Sequence, residues 1–413
     1  MSKKEYHWDY DNPDIIETHS VSKLEVISYY LEKYIQTLSS SPQQDMLNLT
    51  LVDGFCGGGV YLDSETKKRV YGSPVIIHQA VERAEDIINN NKSKPFKVKA
   101  DYFFIDKEPE AINCLNKVLA DHDYKNSSHV YLDEFENKID DIITFIKKKG
   151  RAHRSIFILD QYGYSDISIS VIRKILENLN GSEIIITLNV DSFSRFATDK
   201  EDISKRLLER HDLPLILKDR TIEDIKSNNA DWNLFIQTAF CQELVRTTKV
   251  PFYTPFFIRS GKGQGNYWLL HFSKHYRARD VMATVHWEKT NSFINYAGAG
   301  LDMFNVAGFE TKNAFGQGLL FDKQNRQLSI ETMHEQLADR IYCNDEGLRL
   351  ETLFATTCNE SPATLDIYKE TLFRLLQEKD IDIITESGGT RKVANTISVG
   401  DIIKPSLNYQ LFR

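Results

Sequence analysis

Short apolar runs alternate with amphipathic stretches along the first half of the chain. Between the runs, apolar positions recur every three to four residues, the spacing that forms one face of a helix. This alternation predicts parallel strands joined by crossover helices, and therefore a doubly wound α/β sheet. The strand-like runs are 47–53, 101–106, 129–133, 155–160 and 183–188.

The pattern changes twice outside this alternating region. An amphipathic helix is predicted at 24–38, ahead of the first strand. Residues 266–273 and 281–287 have the appearance of two paired strands without an intervening helix, which predicts an antiparallel edge to the sheet.

The C-terminal part is helical in pattern. Helices are expected at 330–341, 348–356 and 362–379, followed by Gly388-Gly389 between short apolar runs. Three helices and a hairpin predict a winged-helix-like module. The expected domains are an N-terminal helical extension, a Rossmann-like methyltransferase-type domain, a connector and the winged-helix-like domain, at 1–45, 46–290, 291–330 and 331–413 respectively.

Composition narrows the class of protein. The 413 residues are 41% hydrophobic, enough for one large core and a second smaller one, and no targeting or membrane-spanning segment is evident. Five cysteines form no Cys-x-x-Cys pair, which argues against a disulfide framework or a zinc site, so we expect a soluble, cytoplasmic protein without a metal. The net charge of −8 gives no general attraction to nucleic acid, so such binding requires a local patch.

A glycine-rich turn follows the first strand of the alternating region. The turn spans Asp53 to Gly59, and its Phe55, Gly57 and Gly59 are candidate ligand contacts. The next strand ends on Asp106, as a nucleoside-binding half of a parallel sheet requires. Asp106 is suited to accept hydrogen bonds from both ribose hydroxyls, or alternatively to cap the following helix.

The third strand ends on a further carboxylate, Asp133. Its position suits contact with an adenine ring. The alternative is a solvated carboxylate in a loop.

The turn resembles motif I of S-adenosylmethionine (SAM)-dependent methyltransferases, particularly those that methylate amino groups of nucleic acids. More closely, the chain is similar to the three-Cys-motif partner (TcmP) family. The shared features are Thr18-His19 with Lys23-Leu24, Val52 to Phe55 with the glycines, Gly72 to Pro74, Asp160-x-Tyr162-Gly163, Tyr267 to Phe272, and the winged-helix-like tail.

The resemblance implies SAM as the cofactor and a partner protein with three clustered cysteines, such as an iron–sulfur protein of radical-SAM type. One departure is the 53-residue separation of Asp53 and Asp106, beyond the roughly 20 residues of a minimal fingerprint. Residues 60–72 form an insertion. It is expected either to cover the cofactor, with Tyr61 or Tyr71 stacking on a ligand, or to fill the place of the SAM carboxylate.

A candidate reaction centre follows the fourth strand at Asp160-Gln161-Tyr162-Gly163. Amino-methyltransferases carry Asp/Asn-Pro-Pro-aromatic at this place, because acceptors on the hydrogens of a conjugated amine make it a better nucleophile. Asp160 and Tyr162 are therefore the candidate catalytic residues, with Tyr162 stacking a flipped base. Both prolines are missing here, and the alternative is that Asp160 caps a helix on which Tyr162 packs.

Four other residues are candidates for the rim of the pocket. His19 and Lys23 are one helical turn apart and face one side of the opening helix. Asn189 and Arg195 follow the fifth strand. The alternative role of all four is structural.

Residues 246–279 contain seven basic side chains and no Asp or Glu, interleaved with aromatic residues. This mixture suits single-stranded or flipped nucleic acid, with Arg259, Lys262 and Arg277 as contacts. A sheet edge with core aromatics and solvated cations is the equal alternative. The tail, 331–413, carries four Lys and five Arg against six Asp and eight Glu, so we expect it to meet a protein.

The sequence therefore favours a SAM-dependent methyltransferase-like protein that acts on nucleic acid, at an exocyclic amine. The first alternative is a catalytically silent nucleotide-binding partner or scaffold subunit. A nuclease or hydrolase is a second alternative, but no metal-ligand cluster or Walker-type motif supports it.

Overall fold

The computed structural model describes residues 6–150, 152–160, 168–189, 244–259, 266–289, 293–295, 299–301 and 319–406. It consists of two compact units, Met1–Lys274 and His275–Arg413. The four-segment division expected from the sequence stays a prediction, although the opening helix lies within the first unit. Among the described residues, no helix has the length and apolarity needed to cross a membrane.

The first unit is built on a mostly parallel sheet. Its strands are β1 (Ile15–Ile16), β2 (Met46–Asp53), β3 (Val60–Asp63), β4 (Arg69–Tyr71), β5 (Lys97–Asp106), β6 (Ser128–Leu132), β7 (Arg154–Leu159), β8 (Ser182–Asn189), β9 (Phe252–Arg259) and β10 (Asn266–Ser273). Seven of them form the main sheet in the order β9-β10-β8-β7-β2-β5-β6. Strands β2, β5, β6, β7 and β8 are parallel, and β10 is antiparallel to both β8 and β9. The predicted Rossmann-like methyltransferase sheet with an antiparallel edge is confirmed.

Among the described residues, this sheet is accompanied by α1 (Thr18–Leu38), α2 (Ser73–Asn91), α3 (Pro109–Asp121), α4 (Phe135–Lys148) and α5 (Ile169–Asn178), and residues 244–248 are also helical. Each crossover helix buries an apolar stripe, as Ile139, Ile142 and Ile146 do on α4. Proline in the first turn of α2 and α3 favours the start of those helices, because its missing N–H would have no partner there. Helix α1 begins six residues before the predicted Leu24.

The insertion after the glycine turn is a β-hairpin. Strands β3 and β4 pair in antiparallel register, and β1 adds to β3 in parallel. A three-stranded sheet therefore joins the start of the chain to the insertion.

The second unit contains α6 (Tyr276–Lys289), β11 (Phe293–Asn295), β12 (Leu319–Leu320), α7 (Lys323–Tyr342), β13 (Leu348–Arg349), α8 (Leu350–Thr357), α9 (Leu365–Glu378), β14 (Ile381–Ile384) and β15 (Ile402–Pro405). The elements from α7 to β15 follow a helix–strand–helix–helix–strand–strand order, with β15 between β13 and β14. Buried residues of all three helices, including Ile330, Phe354 and Leu372, form the core. This arrangement is the predicted winged-helix module.

One predicted strand is wrong. Residues 281–287 lie inside α6, and the strands that pair with 266–273 are β8 and β9, which both precede it in the chain. The apolar alternation of Val281, Ala283 and Val285 resembled a strand. However, the buried positions Tyr276, Arg279, Met282, Ala283 and His286 have helical spacing.

Candidate functional site

The glycine turn lies at the carboxyl edge of the main sheet, between two neighbouring strands. The backbone N–H of Gly54 donates to the carbonyl of Ile158 on β7 (3.0 Å), and that of Cys56 donates to the carbonyl of Ile105 on β5 (3.1 Å). Gly57 and Gly59 have φ values of 58° and 76°, which side chains rarely tolerate. The turn therefore needs glycine at both positions and is fixed to the strands on either side.

Asp106 closes the turn from the end of β5. Its Oδ2 accepts a hydrogen bond from the Gly57 N–H (2.9 Å), and its Oδ1 accepts one from the Glu108 N–H (3.0 Å). Burial, the largest influence, raises the pKa of Asp106 despite these bonds. The structure thus places Asp106, the predicted ribose contact, against the predicted glycine turn. The same carboxylate also binds the backbone just before the next helix.

Asp53 is a buried carboxylate beneath the turn. Only 1% of it is exposed, and its Oδ1 accepts from the Phe55 N–H (3.2 Å). Its Oδ2 has no hydrogen-bond partner among the described residues. Burial raises the pKa of Asp53 to about 7, assisted by the charges of Asp160 and Asp106 and opposed by the nearby Ser73 side chain and the Phe55 N–H. A buried acceptor without a partner is costly, so this oxygen suits a cationic or hydrogen-bonding ligand.

Asp160 lies at the end of β7 and binds Lys23 of α1. The Lys23 ammonium donates to both carboxylate oxygens, at 2.7 and 2.8 Å. The side chains are 7% and 30% exposed, respectively. The sequence placed Lys23 on the rim and Asp160 at the reaction centre, and the structure brings the two together.

Asp133 has several partners of its own. It accepts hydrogen bonds from the Glu134 N–H (2.8 Å) and the Asn137 amide (2.9 Å), and it pairs with Lys138 (3.1 Å). Hydrogen bonds from Asn137 and Lys138 lower the pKa of Asp133. These contacts are the ones expected of a carboxylate at the start of α4, and the adenine contact stays a prediction.

The N-terminal segment contributes aromatic side chains that the sequence reasoning missed. The indole of Trp8 lies on the turn, since a Cβ added to Gly58 would be 2.6 Å from it. Trp8 stacks on Tyr6 and meets Tyr61 of the hairpin edge-on. Tyr61 was expected to stack on a ligand, but nothing in the local pattern of residues 6–8 links them to a turn some 50 positions later.

The structure leaves several candidate site residues, or their side chains, outside its described part. Tyr162, Arg195 and Lys262 lie outside the described residues. His19, Asn189 and Arg259 lie in α1, at the end of β8 and at the end of β9, respectively, but their side chains are outside the described part. Their predicted roles stay predictions.

The cationic stretch 246–279 is divided between surface and core. Arg246, Lys249 and Arg277 are exposed, whereas Arg279 is fully buried and donates to the carbonyl of Ala363 at 2.7 Å. Trp268, Phe256, Phe272 and Tyr276 are also buried. Most aromatics of the stretch whose burial is known are therefore core residues, and Arg277 belongs to the second unit while Arg246 and Lys249 belong to the first.

The edge of the sheet therefore carries three carboxylates on the adjacent strands β5, β2 and β7, with the Lys23 ammonium against one of them. Among the described residues, no group of His, Cys, Asp and Glu has the arrangement of a metal site. The space beside the glycines is taken by side chains of the protein, Trp8 above all. The Asp106 carboxylate and the unpartnered oxygen of Asp53 suit a cationic nucleoside.

Comparison with known proteins bears on both units. Residues 308–388 match the family described as "GMT-like wHTH domain". The winged-helix domain is thus found by sequence as well as by structure. No curated protein sequence matches the chain.

Several solved structures to which the chain is similar are methyltransferases by name. The chain is similar to the bifunctional kinase-methyltransferase WbdD, with 14% identity over 62% of this chain and a TM-score of 0.32. It spans 39% of that protein. A putative rRNA-methylase from Clostridium thermocellum is 12% identical over 58% of this chain and 94% of its own (TM-score 0.26). A putative S-adenosyl-L-methionine-dependent methyltransferase from Methanococcus maripaludis is 11% identical over 66% and 97%, respectively (TM-score 0.27). These likenesses concern the fold alone.

Proposed function

We propose that the protein is a SAM-dependent methyltransferase. The observation that carries this proposal is the joined arrangement of the glycine turn and Asp106, in which the Gly57 N–H donates to the Asp106 carboxylate at the carboxyl edge of a parallel sheet. Nucleoside ligands bind at this edge in doubly wound folds. The strand order with its antiparallel edge supports the same assignment.

Each candidate cofactor residue has a distinct task. Asp106 accepts from the ribose hydroxyls, Asp133 contacts the adenine, and Phe55, Gly57 and Gly59 of the turn contact the cofactor. Asp53, with its unpartnered oxygen, receives the amino group of the methionine portion. When bound, SAM supplies an electrophilic methyl group.

The acceptor in this proposal is an exocyclic amine of a nucleic acid. Asp160 orients the amine and accepts its hydrogen bond, and Tyr162 stacks the base. Because both oxygens of Asp160 bind Lys23, the ammonium must share the carboxylate with the amine or release one oxygen. Arg259, Lys262 and Arg277 contact phosphates, and the acidic C-terminal domain binds a protein, in this proposal the three-Cys-motif partner.

A second candidate function is a nucleotide-binding subunit without transfer activity. The specific observation in its favour is the same bidentate Lys23–Asp160 ion pair, which occupies the carboxylate that the chemistry requires. The departure of Gln161 from the Asp-Pro-Pro pattern agrees with it.

Calorimetric titration with SAM and its demethylated product tests the cofactor assignment. We expect Asp106→Ala to weaken binding about 10- to 100-fold, because it removes a charge-assisted hydrogen bond. Asp86→Ala, at an exposed carboxylate of α2, is the control and should bind as the wild type does. Unchanged affinity in Asp106→Ala would remove the ribose assignment.

Transfer from labelled SAM to cellular DNA and RNA separates the two functions. We expect the wild type to transfer the methyl group. Asp160→Ala should abolish this transfer and still bind SAM, since the carboxylate acts on the acceptor. Tight SAM binding with no transfer to any acceptor, with or without the three-Cys partner, would establish the silent subunit instead.

Salt dependence tests the nucleic-acid surface. Each phosphate contact on a single strand should contribute about −0.7 to the slope of log affinity against log salt. Joint replacement of Arg259, Lys262 and Arg277 by Gln should flatten that slope. A salt-independent wild type would exclude the surface.

A further inference from the structure

Three aromatic rings meet above the glycine turn. The ring centroids of Tyr6 and Trp8 are 5.1 Å apart in a stacked pair, and Tyr61 meets them edge-on at 6.0 and 5.6 Å, respectively. A Cβ on Gly57 would lie 2.7 Å from the Trp8 ring and 3.2 Å from the Tyr61 hydroxyl. The three rings are here called the aromatic wall. Trp8 and Tyr61 lie against the turn residue that binds Asp106, and Tyr6 stacks on Trp8.

The aromatic wall is anchored by the insertion hairpin. Strand β1 pairs with β3, and the Leu62 N–H donates to the carbonyl of Asp14 (2.8 Å). The Arg69 guanidinium donates to the carbonyl of Tyr10 (2.8 Å) and lies 4.9 Å from the centre of its ring. The N-terminal segment and the hairpin therefore form one structural piece that holds Tyr6, Trp8 and Tyr61 in place.

Two carboxylates lie near the aromatic wall. Burial raises the pKa of Tyr61, with smaller contributions from Tyr6 and from the charges of Asp160 and Asp53, so its hydroxyl stays neutral. The unpartnered oxygen of Asp53 is buried in the same region. Carboxylates and the faces of aromatic rings both attract an organic cation, whereas a neutral thioether gains only the weaker sulfur–aromatic contact and no attraction to a carboxylate.

We propose that Tyr6, Trp8 and Tyr61 recognise the sulfonium cation and thereby distinguish SAM from its demethylated product. This inference rests on the proposed function, because it names how the same site selects its ligand. The two molecules share the adenosine and the amino acid and differ in the methyl group and the positive charge on sulfur. An aromatic face near a cation changes affinity by a factor of about 2 to 30. The consequence is that the product, having lost the charge, is bound more weakly and leaves.

The test is calorimetry on the full chain with SAM, the demethylated product, and an analogue that carries an ammonium group in place of the sulfonium. We expect Trp8→Leu to weaken binding of the two cations about 2- to 30-fold and to leave the neutral product within about twofold. Trp8→Phe keeps a ring and should retain most of the preference. Tyr124→Leu removes an aromatic ring that stacks on His78 outside the aromatic wall, and it should keep the wild-type preference.

The outcomes separate this inference from the function on which it rests. Equal weakening of all three ligands by Trp8→Leu would assign Trp8 a purely structural role and overturn the inference while the proposed function stands. Unchanged affinity for SAM would overturn it as well. If the wild type bound neither SAM nor the product, the proposed function would fail and the inference with it. Thermal unfolding of both Trp8 variants shows whether they fold, and a folded Trp8→Phe keeps the comparison decisive.

Discussion

The buried carboxylate of Asp53 makes a quantitative prediction about pH. Its pKa is raised from its ordinary 3.8 to about 7, primarily by burial. Because the pKa is higher in the folded protein than in the unfolded chain, the folded state holds a proton that the unfolded chain has released. The stabilising contribution is therefore complete below about pH 4 and is lost as the pH rises to about 7. The pKa difference corresponds to about 4 kcal/mol of unfolding free energy.

Asp53→Asn removes the titrating group while keeping its shape. We expect the unfolding free energy of the ligand-free variant to fall less steeply between pH 4.5 and 7 than that of the wild type, by up to about 4 kcal/mol. Urea denaturation at a series of pH values measures this. Asp86→Asn is the control, since Asp86 is exposed on α2. A variant as pH-dependent as the wild type would show that Asp53 does not carry the buried proton.

The same carboxylate couples pH to ligand binding. A cationic amino group beside Asp53 favours the ionised form, so binding expels the proton that the empty site holds below about pH 7. We expect SAM affinity to rise with pH up to about 7 and then to level off, and Asp53→Asn to remove the rise. Titrations in buffers of different ionisation enthalpy count the released protons. Binding without proton release at pH 6 would contradict a contact between the ligand cation and Asp53.

Three further predictions concern single contacts. Lys23→Met should destabilise the protein by about 1–3 kcal/mol, less in an Asp160→Asn background, and a double-mutant cycle by urea denaturation measures their coupling. Gly58→Ala should cost about 1–3 kcal/mol through overlap with Trp8 and far less in a Trp8→Ala background, which chemical denaturation of the four proteins checks. Arg279→Met should lower the unfolding free energy by about 2–4 kcal/mol, because it leaves buried carbonyls without donors. Thermal unfolding measures this loss, and an unchanged affinity for nucleic acid in the same variant would assign Arg279 to the core.

The sheet and its nucleotide turn were predictable because their signals are local. Each parallel strand is an apolar run, and the turn is a run of glycines that ends a strand. The position of Asp106 next to the glycine turn was predictable, since the carboxyl ends of neighbouring parallel strands lie at the same edge of the sheet. The winged-helix module was predictable for the same reason, because each of its helices has its own apolar stripe.

The remaining features depend on contacts between distant residues. Lys23 and Asp160 are 137 positions apart, and the sequence around neither residue indicates that the two form an ion pair. Trp8 reaches the turn only because β1 pairs with the hairpin, an arrangement two residues long that periodicity cannot reveal. Helix α6 was taken for a strand because alternation over 281–287 was weighed without the buried Tyr276 and Arg279 before it.

The arginines in the described part of the winged-helix module all pair with carboxylates. On α9, Arg374 lies 3.6 Å from Glu370, which also binds Arg326 of α7 at 2.8 Å. The exposed positions of α9 include Asp366 and Glu378. A helix that binds a phosphate backbone needs cations on its exposed face, because the neutralisation of phosphates by Lys and Arg supplies most of the affinity. The charge arrangement therefore favours a protein partner for this module, and any nucleic acid is expected to bind through the exposed cations of 246–279.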